Sequence, residues 1–209
     1  MVEKGFFITF EGGEGAGKST QIARLERKLR EKRYDVVVTR EPGGSPGAEA
    51  VRAVILSGAV EPLGTTMEAI LFAAARADHI EQVIRPALER GDWVVCDRFA
   101  DSTRVYQGVL GHVDSRLIKR LEKITVGETG PDLTIVLDAD PADAVATIES
   151  KDRLEAAGDE LHRRARQHFL DLAAADPGRY LVLYARRARE DIAAEIRARL
   201  MPLLEGPLG

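Results

Sequence analysis

The 209-residue sequence contains no asparagine and only one cysteine. Guanine-specific GTPases read their base with an Asn-Lys-x-Asp segment, so the absence of asparagine excludes that class. The lone Cys96 cannot form an internal disulfide, and its apolar neighbours predict a buried structural thiol in a reducing cytoplasm. The lack of asparagine fits a heat-adapted protein and fits a GC-rich genome equally well.

Long apolar runs and basic clusters are also missing. No stretch approaches the roughly 20 apolar residues of a membrane span, and the apolar part of the opening segment is too short for a signal peptide. The net charge is -4, and the basic residues are scattered rather than clustered. We therefore expect a cytoplasmic protein with no nucleic-acid or membrane partner.

Short β-branched runs alternate with amphipathic segments of helical period along the whole sequence. Strands are predicted at residues 6–10, 35–39, 93–96, 133–137 and 180–184. Helices are predicted at residues 19–32, 67–90, 115–126, 154–175 and 190–203. Buried strands joined by helices indicate an α/β fold, a five-stranded parallel sheet with helices on both faces, in one domain over residues 1–209. Ligands are expected at the carboxyl ends of the strands.

A phosphate-binding loop follows the first predicted strand. Residues 12–19 match G-x-x-x-x-G-K-[ST] between a strand and a helix, the context that the motif requires. We expect Lys18 to reach the β- and γ-phosphates and Ser19 to bind Mg²⁺. The predicted ATP-binding set is Gly12, Gly13, Glu14, Gly15, Ala16, Gly17, Lys18, Ser19 and Thr20.

Three further segments each carry an arginine, namely Arg40, Arg76 and Arg98. We expect all three segments to lie just past strand ends, and three guanidinium groups in one crevice would bind a second phosphate. A motor or remodelling ATPase would need a partner surface and usually a longer chain. The pattern instead favours a small-molecule kinase whose acceptor is itself a phosphate compound.

Together, these segments closely resemble those of thymidylate kinases over nearly the whole chain. The shared motifs are Phe-Glu-Gly-x-Glu-Gly-x-Gly-Lys-Ser-Thr at residues 10–20, Thr-Arg-Glu-Pro-Gly-Gly at 39–44, and Asp-Arg followed by Ser-Thr and Tyr-Gln-Gly within 97–108. The combination separates this family from adenylate, guanylate and shikimate kinases. It implies the P-loop nucleoside monophosphate kinase fold and a homodimer. The implied reaction, a step in dTTP synthesis, transfers the γ-phosphoryl group of MgATP to dTMP.

The resemblance also implies roles for individual residues. Phe72 would stack on thymine, Thr103 would bind the pyrimidine edge, and Tyr106 would exclude a 2′-hydroxyl. Glu14 would accept a hydrogen bond from the sugar 3′-hydroxyl, and Asp97 would hold Mg²⁺ through water. The implied substrate-binding set is Glu14, Arg40, Pro42, Phe72, Arg76, Arg98, Thr103, Tyr106 and Gln107. Periodicity alone makes Phe72 an equally good core phenylalanine.

The predicted lid around residues 144–155 departs from the family pattern. Members with glycine at the position of Gly15 commonly place several arginines there, whereas this lid offers Lys151 and Arg153. We predict that Arg153 acts on the transferring phosphoryl group, so the predicted catalytic set is Lys18, Asp97, Arg98 and Arg153. Tyr184 also departs from the family, which usually has aspartate there.

Two alternatives to a thymidylate kinase stay open at this point. One is a kinase of the same architecture that acts on another nucleotide or on a deoxynucleoside. The other is a nucleotide-binding regulator without turnover, against which the intact acceptor segments argue. The resemblance finally implies a cis peptide bond between Glu41 and Pro42, in a turn that directs Arg40 towards the site.

Overall fold

A five-stranded parallel sheet forms the centre of the structure, a computed structural model that describes residues 5–140 and 159–204. The strands, β1 to β5 in chain order, are Phe7–Gly12, Val36–Arg40, Trp93–Asp97, Leu133–Asp138 and Tyr180–Tyr184. Their spatial order is β2-β3-β1-β4-β5, and every neighbouring pair is parallel. All five predicted strands are confirmed, with ends that differ by at most two residues.

Helices connect these strands. The helices, α1 to α8 in chain order, are Lys18–Glu31, Pro46–Leu56, Gly64–His79, Arg85–Glu89, Ala100–Thr103, Ser115–Thr125, Asp159–Ala175 and Arg189–Leu204. A π-helical turn at Ile80–Ile84 joins α3 to α4, and another at Arg104–Leu110 continues α5. A short 3-10 turn at Glu61–Leu63 precedes α3.

Side chains from the two faces of the sheet pack into separate apolar layers. On one face, Phe10 of β1 packs with Leu25 of α1 and Ile196 of α8. On the other face, Phe7 packs with Ile84 from the turn between α3 and α4, and α7 covers β4. Successive side chains of a strand point to opposite faces, so strands covered on both sides are apolar throughout. The predicted three-layer α/β architecture is confirmed.

Cys96 lies in the second of these layers. The thiol is fully buried and its Sγ donates a hydrogen bond to the carbonyl oxygen of Arg98 at 3.0 Å. Burial first, and then the nearby carboxylate of Glu41, raise its pKa well above the ordinary value. The prediction of a buried structural thiol is confirmed.

Two helical segments were not predicted from the sequence. Helix α2 begins after Ser45, whose Oγ accepts a hydrogen bond from the N–H of Ala48, and Pro46 occupies its first turn. Both are ordinary helix-start signals. The second segment is α5 with its π-helical continuation. The predicted long helix at 67–90 is confirmed as the run from α3 to α4, and the predicted start at residue 154 lies outside the described residues.

Among the described residues, no single helix has both the length and the hydropathy needed to cross a membrane. Helix α2 and the helical run Glu61–Glu89 meet the length and composition criteria only as a pair, and a bend of 84° separates them.

Candidate active site

The loop after β1 is held by the amine of the residue that begins α1. Lys18 Nζ donates to the carbonyl oxygens of Gly12 and Gly13 at 3.2 and 2.9 Å. Burial lowers the pKa of Lys18 to about 8, and the charge of Arg98 acts in the same direction. Gly17 has a φ of +88°, a left-handed conformation that favours glycine. The predicted phosphate loop therefore lies between a strand and a helix N-terminus, as its motif requires.

Asp97 stands at the carboxyl end of β3, where its charge acts on Lys18. Its Oδ1 atom is buried without a hydrogen-bond partner, a costly arrangement unless a ligand or ion satisfies that oxygen. Ser19 is exposed in the first turn of α1. Within residues 5–140 and 159–204, no three His, Cys, Asp or Glu side chains gather as a metal cluster. This sparse donor set fits Mg²⁺, which binds one or two protein oxygens together with waters and phosphates.

A cavity of about 310 Å³ lies beside the phosphate loop. Its walls come from the loop itself, from α3 and from the helical segment that follows β3. Eight of the nine residues in the predicted substrate-binding set line it, namely Glu14, Pro42, Phe72, Arg76, Arg98, Thr103, Tyr106 and Gln107. The cavity is large enough for one small-molecule ligand.

Arg40 is the ninth residue of that set, and it does not line the cavity. Its Nη2 atom donates to both carboxylate oxygens of Glu49 at 2.9 and 3.1 Å, and 54% of its side chain is exposed. Because Glu49 of α2 holds it aside, the three arginines do not share one crevice as expected. The Glu41–Pro42 peptide bond is cis, as predicted.

Arg76 is fixed in the wall of the cavity. Its Nε donates to Glu41 Oε2 at 2.7 Å and its Nη2 to Thr103 Oγ1 at 3.0 Å, while only 4% of its side chain is exposed. Glu41 also contacts His79 Nδ1 at 3.1 Å. The expectation that this arginine follows a strand end is wrong, because α3 runs through the segment. Arg76 lies one helical turn after Phe72, so the two side chains share a face of the helix.

Arg98 joins the cavity to the phosphate loop. Its Nη2 donates to Glu14 Oε1 at 2.8 Å, its Nη1 donates to Ser102 Oγ at 3.2 Å, and its guanidinium carbon lies 5.5 Å from the ring centre of Tyr106. Burial acts to lower the pKa of Arg98, but Tyr106 and the surrounding carboxylates outweigh it and raise the pKa. The backbone φ is +66°, a left-handed value that is uncommon outside glycine and is found at functional sites.

The remaining cavity residues combine an apolar platform with polar groups. Phe72 is only 9% exposed, as expected of a core phenylalanine, yet it also lines the cavity. Its ring can therefore contact a ligand there. The ring of Tyr106 packs edge-on against Phe169 with ring centres 6.1 Å apart. Gln107 Nε2 donates to Glu68 Oε2 at 3.2 Å. A carboxylate only accepts hydrogen bonds, so the amide nitrogen of Gln107 must face Glu68.

Two buried carboxylates were not predicted as functional, Glu11 behind the cavity and Glu41 in its wall. Glu11 of β1 accepts hydrogen bonds from the segment after β3, and Glu41 orients Arg76. A signal existed for Glu11, because it is a charged residue at the end of an apolar strand. A carboxylate buried there must find partners. The signal for Glu41 is its place in the shared motif at residues 39–44, between Arg40 and Pro42.

The predicted lid around 144–155, including Lys151 and Arg153, lies outside the described residues. Tyr184 ends β5, is 48% exposed, and is opposite Asp138 in the strand register. Asp138 binds Arg166 of α7 through two hydrogen bonds of 2.5 and 3.0 Å. The exposed Tyr184 at this edge of the sheet therefore neighbours the ion pair between Asp138 and Arg166.

Comparison with known proteins agrees with the motifs. The sequence matches the family model described as thymidylate kinase over residues 10–196. A thymidylate kinase of Nitrobacter winogradskyi is 48% identical over 204 residues, 95% of this chain and 89% of the relative. A thymidylate kinase of Rhodopseudomonas palustris is 48% identical over 200 residues, 92% of this chain and 87% of the relative.

A solved structure leads to the same family. The crystal structure of thymidylate kinase from Ehrlichia chaffeensis matches with a TM-score of 0.78 and 32% identity. The match covers 94% of this chain and 99% of the other. The chain therefore belongs to the thymidylate kinase family.

Proposed function

We propose that the enzyme transfers the γ-phosphoryl group of MgATP to dTMP, with the donor on the phosphate loop and the acceptor in the adjoining cavity. The observation that carries this division of the site is the hydrogen bond of 2.8 Å between Arg98 and Glu14. It joins a guanidinium of the cavity to the loop. A group passing from donor to acceptor would cross at this junction.

On the donor side, loop residues 12–20 bind the phosphates of ATP. Lys18 Nζ donates to the carbonyl oxygens of Gly12 and Gly13, and phosphate oxygens would replace these partners when nucleotide binds. Nearby phosphate charge favours the protonated amine. We therefore assign Lys18 to the β- and γ-phosphates of the donor.

Ser19 and Asp97 are the residues that would hold Mg²⁺. Support comes from the buried Oδ1 atom of Asp97, which lacks a hydrogen-bond partner. When bound there, the ion would supply positive charge that offsets the negative charge of the phosphates during transfer.

On the acceptor side, we assign Phe72 to the face of thymine and Arg98 to the acceptor phosphate. Thr103 and Gln107 would read the edge of the base, and Arg76 would contact the base or the phosphate. A stacked ring and a guanidinium suit these roles because one presents a flat apolar face and the other matches phosphate geometry.

Arg40 can reach the acceptor phosphate only if its contact with Glu49 opens. Both side chains are about half exposed. Exposed ion pairs of this kind contribute about 1 kcal/mol or less, so a bound phosphate dianion would compete for Arg40 at little cost. We therefore retain Arg40 in the proposed acceptor site.

No general base is required for the transfer. The second pKa of a phosphate monoester lies near about 6, so the attacking oxygen of dTMP is already anionic at neutral pH. The task of the protein is to hold two repelling phosphates in line and to neutralise their charge. Lys18 and Arg98, whose side chains are largely buried, would provide positive charge on the two sides of the junction.

A coupled ADP-release assay with a panel of nucleoside monophosphates tests this function. We expect kcat/KM to be greatest for dTMP, lower for dUMP, and lowest for UMP and the purine monophosphates. Equal ADP release with and without dTMP would contradict the proposal and indicate ATP hydrolysis or no turnover. A higher kcat/KM for another nucleoside monophosphate would mean that the enzyme catalyses the same kind of transfer with a different preferred acceptor.

We also propose that the enzyme is a homodimer. Leu63, Met67 and Ile70 are exposed at 63%, 37% and 38%. Met67 and Ile70 are three residues apart and share one face of α3. Leu63 directly precedes that helix, and the exposed Val54 belongs to α2, which packs against α3. An apolar stripe of this kind marks an interaction surface. Sedimentation equilibrium should give a dimer for the wild type and a monomer for Met67→Glu, and a wild-type monomer would contradict the proposal.

A further inference from the structure

The carboxylate of Glu11 is fully buried at the end of β1, directly before the phosphate loop. Its Oε1 atom accepts hydrogen bonds from the N–H groups of Phe99 and Ser102 at 2.8 and 3.3 Å. Its Oε2 atom accepts from the hydroxyl of Ser102 at 2.7 Å. A buried carboxylate is costly, and three donors make its burial possible.

These donors belong to the start of helix α5. Phe99 is the residue that precedes the helix, and its own side chain provides no cap. The first N–H groups of a helix lack partners within the helix and need an outside acceptor. Glu11 is that acceptor for the N–H of Phe99, and it shares the N–H of Ser102 with the carbonyl oxygen of Phe99 at 3.1 Å. Strand β1 therefore fixes the start of α5, which follows the neighbouring strand β3.

The hydroxyl of Ser102 links Glu11 to Arg98. A serine hydroxyl has one hydrogen to donate, which it gives to Glu11 Oε2, so its oxygen is free to accept from Arg98 Nη1 at 3.2 Å. The N–H of Arg98 donates to the carbonyl oxygen of Phe10, the residue before Glu11, at 2.9 Å. Strand β1 thus holds both the backbone and the side chain of Arg98.

Two charged groups act on Glu11 from the segment after β3. Burial and the neighbouring charge of Asp101 raise the pKa of Glu11 to about 7, while Arg98 acts to lower it. Arg98 is therefore the favourable charge for this carboxylate. Its guanidinium lies between Glu11 on one side, through Ser102, and Glu14 on the other.

We propose that Glu11 is a positioning residue that aligns Arg98 with the phosphate loop through Ser102. The proposal rests on the proposed function, in which Arg98 binds the acceptor phosphate. Glu11 itself does not line the cavity, so it would not contact a substrate bound there. Its effect on the reaction passes through the placement of the guanidinium, where an error of about 1 Å can cost on the order of a hundredfold in rate.

The test compares Glu11→Gln with the matched variant Asp78→Asn. Asp78 has the same kinds of partner at another helix start, since its Oδ2 accepts from the hydroxyl of Ser45 and from the N–H of Ala48. It caps α2, which does not carry Arg98. Both changes replace a carboxylate by an amide of the same shape, so a general loss of helix capping would affect both variants alike.

For Glu11→Gln, we expect kcat/KM for dTMP to fall by about tenfold to a hundredfold, with the ATP KM within about twofold of the wild type. For Asp78→Asn, we expect both constants to stay within about twofold of the wild type. Isothermal titration should show weaker dTMP binding to the Glu11 variant in the absence of ATP. The proposal would be overturned if Glu11→Gln left kcat/KM and binding for dTMP unchanged, or if it weakened the use of dTMP and of ATP to the same extent.

A second variant covers the case in which Glu11→Gln does not fold. Ser102→Ala removes the link to Arg98 and leaves both backbone hydrogen bonds to Glu11 in place, so we expect a selective loss for dTMP there as well. Where both variants fold, their double mutant should lose little beyond Ser102→Ala alone, because the two changes interrupt one chain of contacts. Additive losses would contradict the link. A wild type without dTMP-dependent ADP release would instead refute the proposed function.

Discussion

Arg98 donates a hydrogen bond from Nη2 to Oε1 of Glu14 across 2.8 Å, between the segment after β3 and the phosphate loop. The Glu14 side chain is 39% exposed, whereas that of Arg98 is 18% exposed. The carboxylate can therefore turn towards a ligand in the cavity, while Arg98 stays held by Ser102. This relationship makes Glu14 the candidate acceptor for a sugar hydroxyl and Arg98 the fixed cation.

Replacement of Glu14 by glutamine should reduce the preference for dTMP over its 3′-deoxy analogue. A hydrogen bond to a charged group contributes about 1.5–3 kcal/mol, so we expect the ratio of the two kcat/KM values to fall by roughly tenfold to a hundredfold. Steady-state assays with both acceptors measure this ratio. Equal losses for both acceptors would mean that Glu14 acts only through Arg98.

Replacement of Lys18 by alanine should abolish phosphoryl transfer in a protein that still folds. The amine donates hydrogen bonds to two loop carbonyl oxygens, and its main task arises with the charge of the bound nucleotide and transition state. ADP release should fall by at least about a thousandfold, whereas dTMP binding measured by titration should remain. Near-normal turnover would refute the role of the loop, provided that circular dichroism confirms the fold.

Tyr106 should make the enzyme select 2′-deoxy acceptors. Its ring lines the cavity between Arg98 and Phe169, and exclusion of a hydroxyl by packing gives discrimination on the order of a hundredfold. The ratio of kcat/KM for dUMP and UMP should approach unity in Tyr106→Ala and stay close to wild type in Tyr106→Phe, which keeps the ring. Equal use of dUMP and UMP by the wild type would show that this role is wrong.

Local patterns predicted the sheet and the phosphate loop. The apolar runs of β1 and β3 and the spacing of residues 12–19 depend on neighbours in sequence, so periodicity and motif were sufficient. The resemblance added five further residues, which the structure brings together at one cavity, namely Pro42, Phe72, Thr103, Tyr106 and Gln107.

Local sequence patterns could not predict the contacts between segments that are distant in the sequence. Glu11 and Phe99 meet across 88 positions of sequence, and no periodicity relates them. The expected position of Arg40 failed for a related reason. Its partner Glu49 lies on α2, a helix that was not predicted although Ser45 and Pro46 mark its start.

The buried Glu11 should make stability depend on pH. Its pKa is raised from 4.5 to about 7, so the folded state binds a proton more tightly than the unfolded state. The resulting stabilisation is complete below the ordinary pKa and is lost as pH rises through about 7. Between about pH 5 and about pH 8, the unfolding free energy of wild type relative to Glu11→Gln should fall by about 2 kcal/mol. Urea titrations of both proteins at both pH values measure the free energies of unfolding. If the wild type and Glu11→Gln showed the same change in unfolding free energy with pH, the prediction would be wrong.

Arg153 should supply positive charge to the transferring phosphoryl group. The sequence places it in the predicted lid, which lies outside the described residues, and the glycine at position 15 of the loop provides no cation of its own. Closure of a lid over the phosphates would also exclude water, which protects ATP from hydrolysis. An arginine that acts in this way contributes a factor of about 10³ or more to turnover, so Arg153→Ala should lower kcat by that order with a smaller change in dTMP KM.

Lys151→Ala is the matched control, because it removes one positive charge two positions earlier, and it should leave kcat within about twofold. Rapid-quench measurement of the transfer step in all three proteins separates chemistry from product release. Equal transfer rates for wild type and Arg153→Ala would mean that Arg153 forms only a surface ion pair worth about 1 kcal/mol or less. Charge neutralisation would then depend on Mg²⁺ and four side chains, namely Lys18, Arg40, Arg76 and Arg98.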